Sequence, residues 1–258
     1  MFYRTPPRIA VINSFAGYGR CSLTEVLPVI SVMGVQACPL PSAVFSSHSG
    51  FSSFYRVDFT AHMEAYLAEW ERLGLVFDGI YCGFLGTKEQ IAIVSSFLHS
   101  QRKKGCSLIL VDPVMGDNGK LYTSVSPSQN DGLRQLVGLA DIITPNFTEA
   151  CLLARTTWEE YPSSREIERV MTLLHQLGPD KIVITGLREK NDGVAPATFV
   201  NYTFQKDAPD PNPTRLAIPS AGMSRHGTGD IFAAILAADA LLGQKLQDSV
   251  RKASEFIA

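Results

Sequence analysis

The sequence predicts an α/β protein whose mainly parallel central sheet is covered by helices on both faces. Two observations predict this class and its arrangement as one domain. Short apolar runs rich in β-branched residues alternate with longer stretches of helical periodicity, which is the pattern of βαβ units. The 258 residues contain no internal repeat and no long polar linker, so we expect a single domain over residues 1–258.

The predicted elements follow one another along the whole chain. Candidate strands are Arg8–Asn13, Val35–Leu40, Gly79–Cys82, Ser107–Val111, Asp141–Thr144 and Lys181–Thr185. Candidate helices lie near Ser22–Met33, Asp58–Leu73, Lys88–Lys103, Pro127–Gly138, Thr148–Ala154 and Ser164–Leu177. Two late strands are predicted at Thr198–Phe204 and Arg215–Ile218. Leu246–Ala258 is still patterned as a helix where the chain stops, so we expect a last helix that is cut short.

The composition is that of an ordinary globular protein, with 45% hydrophobic and 19% charged residues. A net charge of −2 gives no reason to expect nucleic acid or an anionic membrane as a partner. The N-terminus lacks the apolar core of a signal peptide, and the apolar run Ile231–Leu242 is too short to span a bilayer. The five cysteines are scattered, which argues against a disulfide framework or a zinc site. We therefore expect a cytoplasmic protein.

The most informative motif is Gly227-Thr228-Gly229-Asp230, which opens an apolar, small-residue run. A helix N-terminus offers unpaired amides and the positive end of a dipole, so it attracts an anion such as a phosphoryl group. The two glycines would let the backbone approach that anion, and Asp230 could take a proton from an attacking hydroxyl. The alternative is a glycine-containing loop in which Asp230 acts only as a helix N-terminal carboxylate.

Ligands of such sheets bind beyond the carboxyl ends of the strands, so the residues that follow each strand are candidates. The stretch Asn13–Arg20 offers the hydroxyl of Ser14, although a turn with Ser14 as a cap is the alternative. Phe45–Phe51 mixes aromatic and hydroxyl side chains after the second strand. Phe84 follows the third strand and could lie over a planar ligand, although a lone Phe is more often a core residue.

Acidic and hydroxyl side chains follow the later strands. Asp112 stands at the end of a strand, where a carboxylate could hold a cation or a phosphate-bound Mg²⁺. Asn146 and Glu149 are three residues apart and could face the same phosphates, or they could simply begin a helix. Thr185 and Gly186 close the next strand with a hydroxyl and a permissive glycine. All of these positions fall at the same edge of the predicted sheet, which favours one shared site.

Together these motifs resemble the ribokinase-like superfamily and, within it, the pyridoxal (vitamin B6) kinases. The resemblance runs from Ile9 to Phe256, and its strongest elements are Asp112–Asp117, Asp141–Asn146 with Glu149, Val183–Thr185 and Gly227–Asp230. It implies a three-layer ribokinase-like fold and a homodimer. It also implies an Mg²⁺- and ATP-dependent kinase, stimulated by K⁺, that phosphorylates the 5′-hydroxymethyl group of pyridoxal, pyridoxine or pyridoxamine.

The resemblance also implies residue roles. Asp230 matches the catalytic base, and the amides of Gly227, Thr228 and Gly229 match the anion hole. Residues that match the vitamin site are Ser14, Tyr18, Phe45, Ser49, Phe84 and Asp230. Residues that match the ATP site are Asp112, Asn146, Glu149, Thr185, Gly186, Gly227 and Thr228. Asp112 and Glu149 match positions that organise Mg²⁺, partly through water, and Thr144 and Thr185 match positions near a monovalent cation.

The chain departs from the resembled family in the vitamin pocket. It has Ser47-His48 where many of these kinases have Asn-His, an unusual Phe15-Ala16-Gly17 turn, and His226 in place of a small apolar residue. These differences leave the preferred vitamer open. One alternative function is a hydroxymethylpyrimidine kinase of thiamine biosynthesis, which often has Gly-Thr-Gly-Cys in the last motif. The other is a non-catalytic B6-binding or regulatory protein, against which the intact Asp230, Asn146 and Glu149 argue.

Overall fold

A computed structural model describes residues 5–48, 50–123, 125–126, 129–188, 198–210, 212–219 and 226–258. In these residues a nine-stranded sheet lies between two layers of helices, which confirms the predicted three-layer α/β fold. Within the same residues, no helix has the length and apolar character needed to cross a bilayer.

The elements alternate in the predicted order. The strands are β1 (Arg8–Tyr18), β2 (Gln36–Ser47), β3 (Arg56–Asp58), β4 (Gly79–Cys82), β5 (Leu108–Val111), β6 (Gly116–Asp117), β7 (Lys120–Leu121), β8 (Ile142–Ile143), β9 (Lys181–Arg188), β10 (Thr198–Gln205) and β11 (Thr214–Pro219). The helices are α1 (Leu23–Val32), α2 (Thr60–Arg72), α3 (Lys88–Lys103), α4 (Asn130–Val137), α5 (Phe147–Ala154), α6 (Ser164–His175), α7 (Thr228–Leu241) and α8 (Leu246–Ile257).

The sheet order is β11-β10-β9-β8-β5-β4-β1-β2-β3. The neighbouring strands from β9 through β2 pair in parallel. At one side of the sheet β10 pairs antiparallel with β9 and β11 antiparallel with β10, and at the other side β3 pairs antiparallel with β2. The short strands β6 and β7 form a separate hairpin. Because the central strands are parallel, their carboxyl ends lie side by side along one end of the sheet, where the candidate residues were expected to converge.

Each face of the sheet has its own apolar layer. One layer packs against α2 to α6, and the other packs against α1, α7 and α8. Helix α7 is almost wholly buried and rich in alanine, including Ala233, Ala234 and Ala237. Small side chains let this helix approach the sheet closely, and its N-terminus is thereby fixed at the carboxyl edge of the central strands.

The prediction that strand pairing stops at Asn13 and Leu40 is wrong. β1 and β2 continue pairing to Tyr18 and Ser47, with a shift of register between Asn13 and Phe15. The polar and glycine-rich composition of these extensions resembles that of a loop, but pairing between the two strands satisfies their backbone groups. The added strand β3 and the hairpin β6–β7 were not predicted, since both are only two or three residues long.

Helix boundaries agree with the prediction to within about two residues at most ends, apart from the start of α4. That helix begins at Asn130 rather than at Pro127, and residues 127–128 lie outside the described residues.

Candidate active site

The N-terminus of α7 is built around Gly227, its N-cap residue. Gly227 has φ +86°, and a Cβ placed there would lie 2.7 Å from the carbonyl oxygen of Arg20, so glycine is required on both counts. A Cβ placed at Gly229 meets no described atom within 4 Å, so space lies open beside the first turn. As far as the described residues show, the positive dipole end of the helix thus faces open space beside Gly229, where an anion could bind.

Asp230 lies in this first turn, and both oxygens of its carboxylate accept hydrogen bonds. Oδ1 accepts from Asn13 Nδ2 at 3.0 Å, and Oδ2 accepts from the backbone N–H of Ser22 at 2.7 Å. Burial raises the pKa of Asp230, an effect that the two hydrogen bonds oppose and that the nearby Glu25 reinforces. The carboxylate is therefore held in one orientation and its proton affinity is above that of an exposed aspartate.

Ser22 supplies its N–H from an unusual backbone conformation. Its φ of 55° and ψ of −134° lie in a region that favours glycine, and it is the N-cap residue of α1. Its side chain accepts a hydrogen bond from Ser14 Oγ at 2.9 Å. Strained residues of this kind cluster at functional sites, because the surrounding structure must impose them. Here the strained turn points an amide at Asp230.

Asp112 follows β5 and is nearly buried. Thr144 Oγ1, at the end of the neighbouring strand β8, donates to Asp112 Oδ1 at 2.8 Å. Burial is the larger cause, and the negative charge of Asp230 the smaller one, of a rise in the pKa of Asp112 to about 8. A buried carboxylate whose ionisation is disfavoured by a neighbouring negative charge would be stabilised in its ionised form by a cation.

Glu149 and Asn146 form a capping box at the start of α5. Asn146 Oδ1 accepts from the Glu149 N–H at 3.0 Å, and Glu149 Oε2 accepts from the Asn146 N–H at 2.9 Å. The other carboxylate oxygen, Oε1, accepts from the N–H of Met115 at 2.9 Å. Burial and then the charge of Asp112 raise the pKa of Glu149 well above its usual range. The helix-start alternative is thus realised.

Thr185 and Gly186 lie beside this cap. Thr185 pairs with Asn146 in an isolated parallel bridge, and its N–H donates to the carbonyl of Pro145 at 2.9 Å. Gly186 has φ +69° and donates its N–H to Asn201 Oδ1 at 3.0 Å. The expected ATP-site residues of β8, α5 and β9 are therefore brought together at one edge of the sheet.

The expected acceptor-site residues are divided between the core and the surface. Phe45 and Phe84 are 7% exposed, and their rings meet edge to face with centroids 6.0 Å apart. Tyr18 is 70% exposed at the end of β1 and lies 5.6 Å from the ring of Phe51. The two phenylalanines thus belong to the core below this region, which for Phe84 is the alternative that the sequence left open. Tyr18 lies at the surface beside them. Ser49 lies outside the described residues.

Several polar groups near Asp230 were not singled out from the sequence. Asn13 and Ser22 hold its carboxylate, and the buried Tyr81 has a pKa raised first by burial and then by the charges of Asp112 and Asp230. A polar residue at the end of a buried strand is a signal that could have identified Asn13. Nothing in the local sequence marks Tyr81, which lies within an apolar strand.

The donor set for a metal ion is small. Across the described ranges, no group of three His, Cys, Asp or Glu side chains comes together to hold a metal. Asp112 and Glu149 supply hard carboxylate oxygens of the type that Mg²⁺ prefers, and they interact electrostatically. They fit an ion whose remaining ligands come from phosphate and water, rather than a cage made by the protein alone.

The chain is similar to known kinases of two related activities. The family model described as phosphomethylpyrimidine kinase matches residues 33–258. Pyridoxal kinase of Ovis aries is 30% identical over 219 residues, which cover 81% of this chain and 69% of that enzyme. Hydroxymethylpyrimidine/phosphomethylpyrimidine kinase of Haemophilus influenzae is 30% identical over 182 residues, which cover 68% of this chain and 61% of that enzyme.

The fold is shared with a crystal structure from Bacteroides thetaiotaomicron. That protein is named as a phosphomethylpyrimidine kinase and was crystallised with pyridoxal. It is 35% identical to this chain and superposes with a TM-score of 0.90 over 98% of this chain and 86% of its own length. Its similarity to the pyridoxal kinases, which belong to the ribokinase-like superfamily, identifies the chain as an ATP-dependent kinase. The chain belongs to the phosphomethylpyrimidine kinase family.

Proposed function

We propose that this kinase transfers the γ-phosphoryl group of ATP to the 5′-hydroxymethyl group of pyridoxal, pyridoxine or pyridoxamine. The observation that carries the proposal is the fixed carboxylate of Asp230 in the first turn of α7, beside the open backbone of Gly229. Similarity to pyridoxal kinase of Ovis aries and to the protein crystallised with pyridoxal supports a B6 vitamer as acceptor.

Asp230 acts as the general base in this proposal. It accepts the proton of the acceptor hydroxyl while the acceptor oxygen forms a bond to the γ-phosphorus, and the bond from that phosphorus to the β,γ-bridging oxygen breaks to release ADP. Its pKa, raised by burial, brings the carboxylate closer to the proton affinity that a base needs near neutral pH. The hydrogen bonds from Asn13 and Ser22 keep it aimed while the substrate binds.

The backbone of Gly227, Thr228 and Gly229 stabilises the transferred group. Amides at a helix start need no reorganisation when negative charge develops in front of them, so they favour the transition state. The left-handed conformation of Gly227 and the open space beside Gly229 support this role.

Asp112 and Glu149 would hold Mg²⁺ together with the ATP phosphates, partly through water. When bound, the ion supplies positive charge that neutralises the phosphates and aligns them for transfer. Thr144 and Thr185 offer oxygen ligands from the same strand ends, which supports a monovalent cation site such as one for K⁺. Asn146, with its side chain in the cap of α5, completes the wall of the ATP site.

The acceptor pocket would lie between β1 and the segment after β4, with Ser14 on one side and Phe84 on the other. Ser14 already donates to Ser22, so its remaining lone pairs are available to a donor on the ring. Phe45 and Phe84 would form the nearly buried floor of this pocket, with Tyr18 at the rim and Ser49 nearby in sequence. We also propose a cytoplasmic homodimer, which the resemblance to pyridoxal kinases supports.

A second candidate is phosphorylation of hydroxymethylpyrimidine, because the matching family model and the Haemophilus influenzae relative are named for that chemistry. Both acceptors carry a hydroxymethyl group on a nitrogen heterocycle, so the machinery around Asp230 would serve either. Asp230 itself favours the B6 reading, since the hydroxymethylpyrimidine kinases that the chain resembles often have Cys at this position.

An acceptor panel tests the proposal. ADP formation is followed with Mg²⁺ and ATP in the presence of pyridoxal, pyridoxine, pyridoxamine or hydroxymethylpyrimidine, and each product is identified by mass. We expect at least one vitamer to give the highest kcat/KM. A higher value for hydroxymethylpyrimidine than for all three vitamers would replace the first candidate with the second, and no turnover with any acceptor would favour a binding protein.

A further inference from the structure

Asn13 links two parts of the active site that are far apart in sequence. Its side chain is fully buried at the point where the register of β1 shifts. Oδ1 accepts from the backbone N–H groups of Ser14 at 2.8 Å and Phe84 at 3.1 Å, and Nδ2 donates to Asp230 Oδ1 at 3.0 Å. One amide therefore joins the carboxylate of α7 to the backbone that follows β4.

The orientation of this amide is dictated by its partners. The two backbone N–H groups can only donate, so the atom facing them must be the oxygen. The nitrogen of Asn13 then faces Asp230. When it is ionised, the carboxylate of Asp230 has no proton to donate, so its partner must be a donor. A flipped amide would lose all three hydrogen bonds at once and leave buried polar groups unpaired.

The neighbouring chain is shaped around this side chain. A Cβ placed at Gly83 would lie 2.5 Å from Asn13 Nδ2, so the backbone between Cys82 and Phe84 comes as close as only glycine allows. Ser22, in its strained conformation, holds the other oxygen of Asp230. Two independent elements thus fix the carboxylate. Ser22 is linked to the predicted acceptor pocket through the hydroxyl of Ser14, whereas Asn13 holds the backbone of Phe84 directly.

We propose that Asn13 is a positioning residue that ties the orientation of the Asp230 carboxylate to the backbone of the acceptor pocket at Phe84. This inference rests on the proposed role of Asp230 as the base. It implies that a shift of the Phe84 backbone would be transmitted to Asp230, because one amide side chain is hydrogen-bonded to both. A displacement of about 1 Å at a reacting group can cost roughly 100-fold in rate.

Other ionisable groups also face Asp230 and would contribute to its titration. They are Cys21 and Glu25 near the start of α1, Tyr81 on β4, Asp112 after β5, and Tyr122 after the β6–β7 hairpin. Tyr81 also interacts with the side chain of Asn13, so a difference in pH dependence between variants at this position reports on the polar cluster of Asn13, Asp230 and Tyr81. Combining Asn13→Asp with Asp230→Asn isolates the contact between those two residues.

The test uses Asn13→Asp, which keeps the oxygen that accepts from Ser14 and Phe84 but replaces the donor facing Asp230 by a carboxylate oxygen. Like charges disfavour ionisation, so the acidic limb of the kcat–pH profile should move up by about one pH unit or more. At pH 7 kcat should fall at least roughly 10-fold, while KM for ATP stays within about twofold. Wild-type kcat and an unmoved acidic limb would overturn the inference.

Ser42→Ala is the matched control. Ser42 is also fully buried and donates to the carbonyl of Phe84 at 2.6 Å, but among the described residues its side chain forms no hydrogen bond with Asp230. It should lower the melting temperature without moving the acidic limb. A shift of the limb equal to that of Asn13→Asp would show that any loosening of Phe84 has the same effect, and would overturn the specific role of Asn13.

A second readout does not depend on turnover. At pH 8 the Asn13→Asp variant places two carboxylates together and should melt roughly 4 °C or more below the wild type. Adding Asp230→Asn exchanges the amide and the carboxylate, and should restore most of that loss. If Asn13→Asp lowers the melting temperature equally in both backgrounds, the contact carries no coupling and the inference fails. This result is decisive even if the wild type phosphorylates none of the four acceptors, in which case the proposed function fails separately.

Discussion

The two ends of the active site are assembled in different ways. At the ATP end, Glu149 is fixed mainly by its own helix start, through the amide of a residue three positions earlier. At the acceptor end, Asp230 is fixed by residues 217 and 208 positions away, on β1 and at the start of α1. The first arrangement is a local motif, whereas the second exists only once the sheet has brought β1 beside the N-terminus of α7.

The difference bears on function as well as on folding. Glu149 gives both oxygens to backbone amides and so combines a structural role with its expected contact to Mg²⁺. Asp230 is held by one amide and one side chain and lies in the same first turn as Gly229, where a Cβ would meet no described atom within 4 Å. A reacting group needs a fixed orientation, and at Asp230 that orientation depends on contacts between distant parts of the chain.

The largest effect is expected from removing the base. Asp230→Asn keeps the shape of the side chain but cannot accept the proton, so kcat should fall about 10²- to 10⁴-fold while KM for ATP changes little. The control is Asp239→Asn, which alters a buried carboxylate of the same helix that pairs with Lys252 at 2.8 Å. It should lower the melting temperature and leave kcat nearly intact. Near-wild-type turnover of Asp230→Asn would remove this residue from the mechanism.

A smaller but still large effect is expected at the ATP end. Turnover should require Mg²⁺ or Mn²⁺, and Asp112→Asn should raise the Mg²⁺ concentration for half-maximal activity by roughly 10- to 100-fold. Asp141→Asn, at the opposite end of β8 where its carboxylate pairs with Arg102, is the control and should leave this value unchanged. Full activity in excess chelator would contradict a metal requirement. Stimulation by K⁺ over Na⁺ is expected in the same assay.

Ser14 tests the acceptor pocket. Deleting one buried hydrogen-bonding partner of the ring costs about 1–3 kcal/mol, so Ser14→Ala should raise KM for pyridoxal by roughly 5- to 150-fold and leave KM for ATP nearly unchanged. Ser22→Ala removes the same hydroxyl–hydroxyl hydrogen bond without touching the proposed ring contact. If Ser22→Ala raises KM as much as Ser14→Ala does, Ser14 acts through Ser22 and not on the ring.

The smallest effect is expected at Cys21, next to Ser22. Burial, and then the charge of Asp230, raises the pKa of this thiol to about 11, so it stays protonated at neutral pH. Iodoacetamide at pH 7–8 should therefore modify Cys21 roughly 100-fold more slowly than free cysteine, and the rate should rise with pH towards 11. Cys21→Ser should keep kcat within about twofold. Modification at the rate of a free thiol, located by peptide mass, would contradict this description of its surroundings.

The sequence predicts the fold well because βαβ alternation is a local signal. Every central strand and every helix lies close to its predicted position, and the edge of the sheet that collects Asp112, Asn146 and Thr185 follows from the parallel order. The extensions of β1 and β2 could not be predicted, because they are held by hydrogen bonds to each other and carry no apolar pattern that marks them as strands.

The site is only partly predictable, because only part of it is built from contacts between residues close in sequence. The capping box of Asn146 and Glu149 can be read from their spacing, but the clamp on Asp230 cannot, since its partners are more than 200 residues away. Phe45 and Phe84 show a further limit. Their position after a strand is compatible with a pocket or a core, and only the packed structure shows how deeply they are buried.

The central claim, that this site phosphorylates a B6 vitamer with Asp230 as base, is tested most directly by competition. Equal concentrations of pyridoxal and hydroxymethylpyrimidine are mixed with limiting ATP and Mg²⁺, and the two phosphorylated products are quantified by ³¹P NMR for the wild type and for Asp230→Asn. The product ratio equals the ratio of kcat/KM values. We predict that pyridoxal 5′-phosphate predominates with the wild type and that both products nearly vanish with Asp230→Asn. A predominance of the pyrimidine phosphate, or undiminished product from the variant, would contradict the account.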